Sequence, residues 1–377
     1  MTRIIIAGDL CPKERVAQLF EEEQYESVLS EIRHAIQEAD YAIVNLEAPI
    51  VSGKGTPIKK AGPNLKCGNK VIGAIKYAGF RCVTLANNHL CDYGEEGVVN
   101  TFNELGNNCV SYVGAGENAS DASRILYKTI NGELFAFINC CEHEFSIATE
   151  ATAGCNPLDV INQYHSIREA KKKANHVIVI VHGGIEMYQL PTPRMQKTYR
   201  FFIEVGADAV VNHHQHCFSG YEYYRGKPIV YGLGNFCFDW KGKNNSVWND
   251  GYLLELLFED AKIKISLIPY KQCDEIPSVS VTTIDKEGFD LKIKKLNSII
   301  SDEGELIKEY SKLLNGTWKN YDLINPYSNR ILRKLYKNGL LPSLMPKKKY
   351  LSILNNIRCE SHNDRLLFTL LKKIENI

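Results

Sequence analysis

No run of about eighteen apolar residues occurs in the 377-residue sequence, which leaves no stretch fit to cross a bilayer as a helix. The opening, MTRIIIAGDL, reaches Gly8 and Asp9 after a short apolar run, too brief for the core of a secretory signal. Cys-x-x-Cys pairs are missing as well. The twelve cysteines are scattered, so neither a zinc ribbon nor a small disulfide scaffold fits, and reduced thiols are expected. An excess of one charge sign is also absent: 45 Lys and Arg face 44 Asp and Glu, for a net +1. That balance argues against nucleic acid as a partner of the whole molecule. Internal repeats and low-complexity tracts are absent too. These absences together lead to the expectation of a cytoplasmic protein.

What is present is a series of short apolar, often β-branched runs: RIIIA (3–7), YAIV (41–44), RCVTLA (81–86), HVIVIV (176–181), ADAVV (207–211) and PIVYGL (228–233). Their continuous apolarity suits strands buried on both faces. Between them lie helical stripes, with Ile32, Ala35, Ile36 and Ala39 on one, Val71, Ile75 and Ala78 on a second, and Met195, Tyr199 and Phe202 on a third. The alternation predicts a largely parallel α/β sheet. GYLLELLFED followed by AKIKISLIPY predicts an antiparallel hairpin near residues 251–270. The main domain is expected to cover residues 1–280 and a helical extension residues 281–377.

The extension is basic. From residue 327 onward eleven Lys or Arg stand against three acids, a surplus of eight. Its last stretch, RLLFTLLKKI, aligns Leu366, Leu367, Leu370, Leu371 and Ile374 on one helical face beside Lys372 and Lys373. Such a helix either docks on the main domain with a solvated basic face, or meets a membrane surface or an acidic partner.

Polar residues able to bind metal stand where the apolar runs stop: Asp9 after the first, Asn45 and Glu47 after the second, Asn87, Asn88 and His89 after the third, His182 after the fourth, and His213, His214 and His216 after the fifth. In open α/β sheets the ligand crevice lies beyond the carboxyl ends of the strands, so these positions should converge. Alone, each has an ordinary explanation: GD as a turn and helix cap, NLE as an exposed turn, ANNH as a turn held by its asparagines, and a lone His182 as a packed imidazole. Three imidazoles in HHQH are harder to justify by packing. Oxygen donors from Asp9, Glu47 and Asn88 with imidazoles from His182, His214 and His216 suit first-row divalent ions. Six donors exceed what one tetrahedral ion needs, and two ions sharing a carboxylate would use them all.

The blocks AGDL, NLEAPI, LANNHLCDYGEEG, HGGIEMYQLPTPRMQ, GADAVVNHHQH and KPIVYGLGNFCFD, in this order over residues 3–270, resemble those of the poly-γ-glutamate capsule biosynthesis (CapA-like) family, a branch of the calcineurin-like metallophosphatases. The resemblance implies a four-layer αββα sandwich of two mixed sheets, with a centre at the strand ends holding one or two divalent ions (Mn, Fe, Zn or Ca). On it, Asp9, Glu47, Asn88, His182, His214 and His216 match metal-binding positions. His89 matches the histidine that assists the leaving group, and Glu186 and Asp92 fall in family blocks at proton-transfer distance. Asn235 of GLGNF and Arg194, with Lys197 nearby, are candidate contacts for an anionic substrate. The sequence departs from the phosphatase pattern at Cys11, where a histidine is usual, and at Glu47, where the bridging residue is an aspartate.

The resemblance implies a metal-dependent hydrolase or transferase acting on a phosphoester or an amide through metal-activated water. Its substrate would be an anionic polymer such as poly-γ-glutamate, a peptide or a phosphorylated small molecule. A different class is a non-catalytic accessory protein of capsule polymer synthesis or export, whose metal site is vestigial.

Overall fold

Alternation along one strand separates the two cores of the molecule. The computed structural model describes residues 1–60, 62–259, 262–317, 331–332, 335, 340–341 and 346–375. In it β1 spans Thr2–Leu10 and is buried along nearly its whole length. Successive side chains of a strand point to opposite faces. Ile4 and Ile6 enter a core shared with the second sheet, while Ile5 and Ala7 enter a core shared with the N-terminal helices.

The first sheet runs parallel from β1 through β2 (Tyr41–Leu46) and β3 (Cys82–Thr84) to β4 (Ser111–Val113). On its other side β1 pairs antiparallel with β14 (Asp250–Glu259), which pairs in turn with β15 (Lys262–Gln272) and then β16 (Val279–Ser280). The short β13 (Asn235–Cys237) joins the end of β1 and sets Asp9 opposite Asn235. The hairpin expected near residues 251–270 is β14 and β15.

The second sheet has the order β11 (Tyr221–Tyr224), β12 (Lys227–Val230), β10 (Ala209–His213), β9 (His176–His182), β7 (Glu133–Cys141) and β6 (Leu126–Ile130). Its inner pairs are parallel and its two edge pairs antiparallel. A small ribbon joins β5 (Ala115–Gly116) to β8 (Gly154–Cys155).

Helices cover both outer faces. Val16 and Phe20 of α1 (Glu14–Glu21), Ile32 and Ile36 of α2 (Tyr25–Gln37), Ile75 of α3 (Val71–Ala78) and Phe102 of α4 (Gly94–Asn107) pack on the first sheet. After the one-turn α5 (Ala119–Ala122), the helices α6 (Val160–Lys173), α7 (Pro193–Val205), α8 (Lys286–Ser301) and α9 (Glu303–Thr317) pack on the second. Helix, sheet, sheet and helix make the four-layer αββα sandwich. The start of α7 is written in its sequence: Thr192 Oγ1 accepts the Met195 amide at 3.1 Å and Pro193 occupies the first turn.

The structure differs from the sequence reading in three places. PIVYGL is a strand only as far as Val230, since its register with Val211 ends there and the chain turns through the positive φ of Gly234. The strand β7, whose LFAFINCC was not expected as an element, is central in the second sheet. The third concerns the C-terminal helices α10 (Lys347–Arg358) and α11 (Glu360–Glu375), which pack on each other. The leucine face of α11 is not its docking face: Ser361 and Thr369 are buried, whereas Leu367 is 54% and Leu370 45% exposed. An inward-facing ion pair, described below, turns the polar side of α11 toward the domain. Basic residues 330, 333, 334 and 337, and the side chains of Leu371 and Ile374, lie outside the described residues.

Candidate metal centre

The six expected ligands meet at one end of both sheets, and each sheet supplies one chemistry. Oxygen donors come from the first: Asp9 near the end of β1, Glu47 just after β2, and Asn88 after β3. Nitrogen donors come from the second: His182 ends β9, and His214 and His216 follow β10. Donor atoms of Glu47, His182 and His214 lie within 4.8 Å of one another, as do those of Asp9, Glu47 and His216. Glu47 belongs to both groups, which is the arrangement of a carboxylate that bridges two ions.

Distances within the first group support a cation between its members. His182 Nε2 lies 3.1 Å from Asn88 Oδ1, 3.1 Å from His214 Nδ1 and 3.5 Å from Glu47 Oε1. Ligand atoms held about 2.0–2.1 Å from a tetrahedral ion are themselves about 3.3 Å apart. A single imidazole proton could join one of these contacts, not three. Both carboxylate oxygens of Glu47 are buried and without a hydrogen-bond partner, a costly state for a carboxylate unless a cation meets it. The residues therefore fit divalent ions: Asp9, Glu47 and His216 would hold one, and Glu47, Asn88, His182 and His214 another.

The second group is held by a further layer of contacts. Asn235 Oδ1 accepts the His216 Nδ1 proton at 2.9 Å, which turns Nε2 toward Glu47 Oε1 at 3.7 Å. His216 also packs on the rings of Trp248 and Phe238. Asn45 Nδ2 donates to Asp9 Oδ1 at 2.7 Å and lies 3.4 Å from His182 Nδ1. His213, the other imidazole of the HHQH block, points away and meets the Ala7 carbonyl at 2.9 Å. His214 and His216 adopt φ of +90° and +53°, an uncommon backbone for residues with a Cβ.

Electrostatics follow from burial and crowding. Burial pushes the His182 imidazolium well below its usual range, and the neighbouring His214 adds to this, leaving a neutral imidazole. Burial also acts against a charged His216, but Glu47 and Asp9 outweigh it and push that imidazole up to about 10. Burial and the adjacent Asp9 raise the Glu47 carboxyl well above the carboxylate range. A proton on His216 thus offsets the ionised Asp9 beside a Glu47 carboxyl that resists ionisation, and a cation held there would take over that charge.

His89 stands beside the cluster in a buried triad. Its Nδ1 lies 2.7 Å from Asp92 Oδ2 and 3.1 Å from Lys60 Nζ, and Lys60 forms an ion pair with Asp92. Burial holds its imidazolium below the ordinary range despite Asp92. Asp92 is engaged by His89, Lys60 and the Leu65 amide at 2.6 Å. Lys60 was not singled out from the sequence, since nothing in PIKKAG distinguishes a lysine that will be buried. Glu186 lies exposed at the mouth. The local enclosure there works to raise its carboxyl, but the imidazoles of His216, His214 and His89 hold it below the usual range.

The two expected substrate contacts are placed otherwise. Asn235 is wholly buried and its amide is spent on His216 and on the Trp248 carbonyl, 3.1 Å away. Arg194 turns inward, with its guanidinium paired to Glu142, to Asp364 at 2.6 Å and to Ser361 Oγ at 3.1 Å. Lys197 remains exposed. Cys11, at the position where a histidine was noted as missing, is buried, and burial and Glu47 raise its thiol well above the usual range.

A two-sheet sandwich with a buried oxygen and imidazole cluster at its strand ends defines the class to which this chain conforms. Residues 3–240 match the family described as bacterial capsule synthesis protein PGA_cap, and the chain belongs to that family. It is 31% identical over 242 residues to the capsule biosynthesis protein CapA of Bacillus anthracis, a match covering 62% of this chain and 59% of that one. It is 32% identical over 236 residues to the PGA biosynthesis protein CapA of Bacillus subtilis (strain 168), covering 62% of each. The chain thus spans about three-fifths of the length of these relatives. A 5'-nucleotidase structure from Candida albicans SC5314 aligns over 85% of this chain and 58% of its own at 13% identity, with a TM-score of 0.41, a likeness too distant to bear on chemistry. Among the described residues no helix is long and apolar enough to cross a membrane.

Proposed function

We propose that this chain is a metal-dependent hydrolase or transferase of capsule polymer metabolism, acting on a phosphoester or amide bond of an anionic substrate in the cytoplasm. The observation that carries the reading is Glu47: a buried carboxylate with two unpartnered oxygens, shared by two groups of metal-ligand atoms. The printed names of the relatives, capsule and PGA biosynthesis proteins, supply the substrate class.

Divalent ions held by Asp9, Glu47, Asn88, His182, His214 and His216 would lower the pKa of a bound water toward about 7 and offset charge on the departing oxygen. The chain's own residues do the rest. Asp92 and Lys60 fix the His89 ring through Nδ1, so that Nε2 exchanges a proton with the leaving group or the attacking water. Glu186, at the mouth and ionised, takes up or returns a proton from the solvent side. Asn45 and Asn235 keep Asp9 and His216 oriented. The basic C-terminal segment gives an anionic polymer or a membrane surface a place to bind.

The test is elemental analysis of the purified chain, followed by turnover of bis-p-nitrophenyl phosphate and of a γ-linked glutamate oligomer with added Mn²⁺. Metal-dependent cleavage of either substrate, abolished in Glu47→Gln, is expected. Absence of bound metal together with absence of turnover overturns the proposal. One observation favours the accessory reading: Cys11, which replaces the histidine of the phosphatase pattern, is buried and is not among the donor atoms gathered with Asp9, Glu47 and His216. On that reading the chain binds polymer through its basic segment and turns over neither substrate.

A further inference from the structure

A second cluster of donors, separate from the centre built around Glu47, lies where the C-terminal helices meet the domain. Glu144 follows β7, Cys359 closes α10, and His362 lies in the first turn of α11; their donor atoms are within 4.8 Å of one another. We propose that Glu144, Cys359 and His362 bind a divalent cation of the zinc class, which ties the C-terminal helix pair to the loop after β7 beside the mouth of the main centre. The donors are one carboxylate, one thiol and one imidazole. That is a borderline-soft set of the kind zinc accepts, and it leaves a fourth position open.

Four features of the surroundings support a cation there. His362 Nε2 and Glu144 Oε1 are 3.8 Å apart, beyond hydrogen-bond reach and near the separation of two atoms sharing one ion. Cys359 is 1% exposed, and its sulfur faces Glu142 at 3.8 Å and the backbone of His362. Four carboxylates, of Glu142, Glu144, Glu360 and Asp364, gather at this junction, where Arg194 is ion-paired to two of them and His143 to a third. The last feature is Asn355. Its Nδ2 lies 3.0 Å from His362 Nδ1, while its buried Oδ1 has no hydrogen-bond partner. Turning this amide by 180° lets Oδ1 accept the Nδ1 proton and leaves the Nε2 lone pair for a metal, the outer contact that metal-bound histidines usually make.

Loading exchanges the Cys359 thiol proton for the cation. The proton passes to solvent and nothing is oxidised or reduced. The site sits close enough to the main centre for the charges of His214 and Glu186 to act on His362. A cation here therefore fixes the part of the C-terminal segment that borders the mouth. Two of its three ligands, Cys359 and His362, lie beyond residues 3–240, the span of the family match, while Glu144 lies within it.

The test is cobalt titration of the metal-free, full-length chain. A sulfur-to-cobalt charge-transfer band in the near ultraviolet is expected, because it requires a thiolate ligand. The band should vanish in Cys359→Ser, persist in Cys11→Ser, and persist in the His214→Ala/His216→Ala double variant, which isolates this site from the main centre. Glu144→Gln, at a partly exposed position, and Asn355→Leu should each weaken the band's apparent affinity by about tenfold or more. They keep the test decisive if the serine variant is unstable. No band in the parent chain, a band that survives Cys359→Ser, or a band lost in Cys11→Ser would overturn the proposal.

Discussion

Asn235 Oδ1 holds His216 Nδ1 at 2.9 Å while Asn235 itself lies opposite Asp9 in the ladder between β13 and β1. One asparagine therefore orients an imidazole and sits in register with a carboxylate of the candidate metal centre. Asn235→Leu should lower divalent-ion affinity about 10–100-fold without removing any ligand. Calorimetric titration with Mn²⁺ checks this, and an unchanged affinity would show that His216 is oriented by its packing on Trp248 and Phe238.

Removal of the His89 ring should separate proton transfer from metal binding. His89→Ala is expected to lower turnover by about 10²–10⁴-fold with metal content unchanged. Asp92→Asn, which loosens Nδ1 and strands Lys60, should follow the same pattern to a smaller extent. Loss of metal in His89→Ala, read by elemental analysis, would count against the assignment.

Gly8 allows the close approach on which Asp9 depends. A Cβ there would lie 1.9 Å from the Gly234 carbonyl oxygen and 2.9 Å from its carbon, both backbone atoms. Gly8→Ala must push β13 from β1, and a loss of about 1–3 kcal/mol of stability is expected. A chemical-denaturation midpoint measures it, and Mn²⁺ affinity should fall in the same variant.

Asp208, distant from the centre, gives a pH dependence with a defined sign. Its carboxylate accepts from the Val177 amide at 2.9 Å, Lys171 at 2.7 Å and Lys227 at 2.8 Å. Burial opposes ionisation, but these bonds outweigh it and hold the group below the usual 3.8. A depressed carboxyl contributes stability above its unfolded value and loses it as the pH falls through its folded value. Asp208→Asn should therefore cost about 1–2 kcal/mol, allowing for the partly exposed lysines, above pH 3.8. The difference from the parent chain should shrink as acid is added below that point. Urea melts across the acid range would reveal an opposite trend if the assignment were wrong.

The strand ends carried most of the legible information, because buried parallel strands leave a continuous apolar run and their functional residues appear where the run stops. Asp9, Glu47, Asn88, His182, His214 and His216 could be grouped on that ground before any distance was known. Arg194 and Asn235 could not be placed the same way, since a charged or amide side chain in a loop or early helix turn reads alike whether it faces solvent or the interior. Buried Glu142, together with the docked Ser361 and Asp364, decides that Arg194 turns inward. Lys60 escaped for the same reason. Cys359 and His362 were hidden by distance along the chain from Glu144, with no apolar run to mark their junction.

Because the oxygen donors belong to one sheet and the imidazoles to the other, any ion they share acts as a rivet across the seam between them. Sliding of one sheet over its neighbour would pull such a rivet apart, so loading should bind the two halves of the sandwich into a single unit that melts together. Chelation would then lower the temperature at which the whole sandwich melts, since its two sheets also share one apolar core.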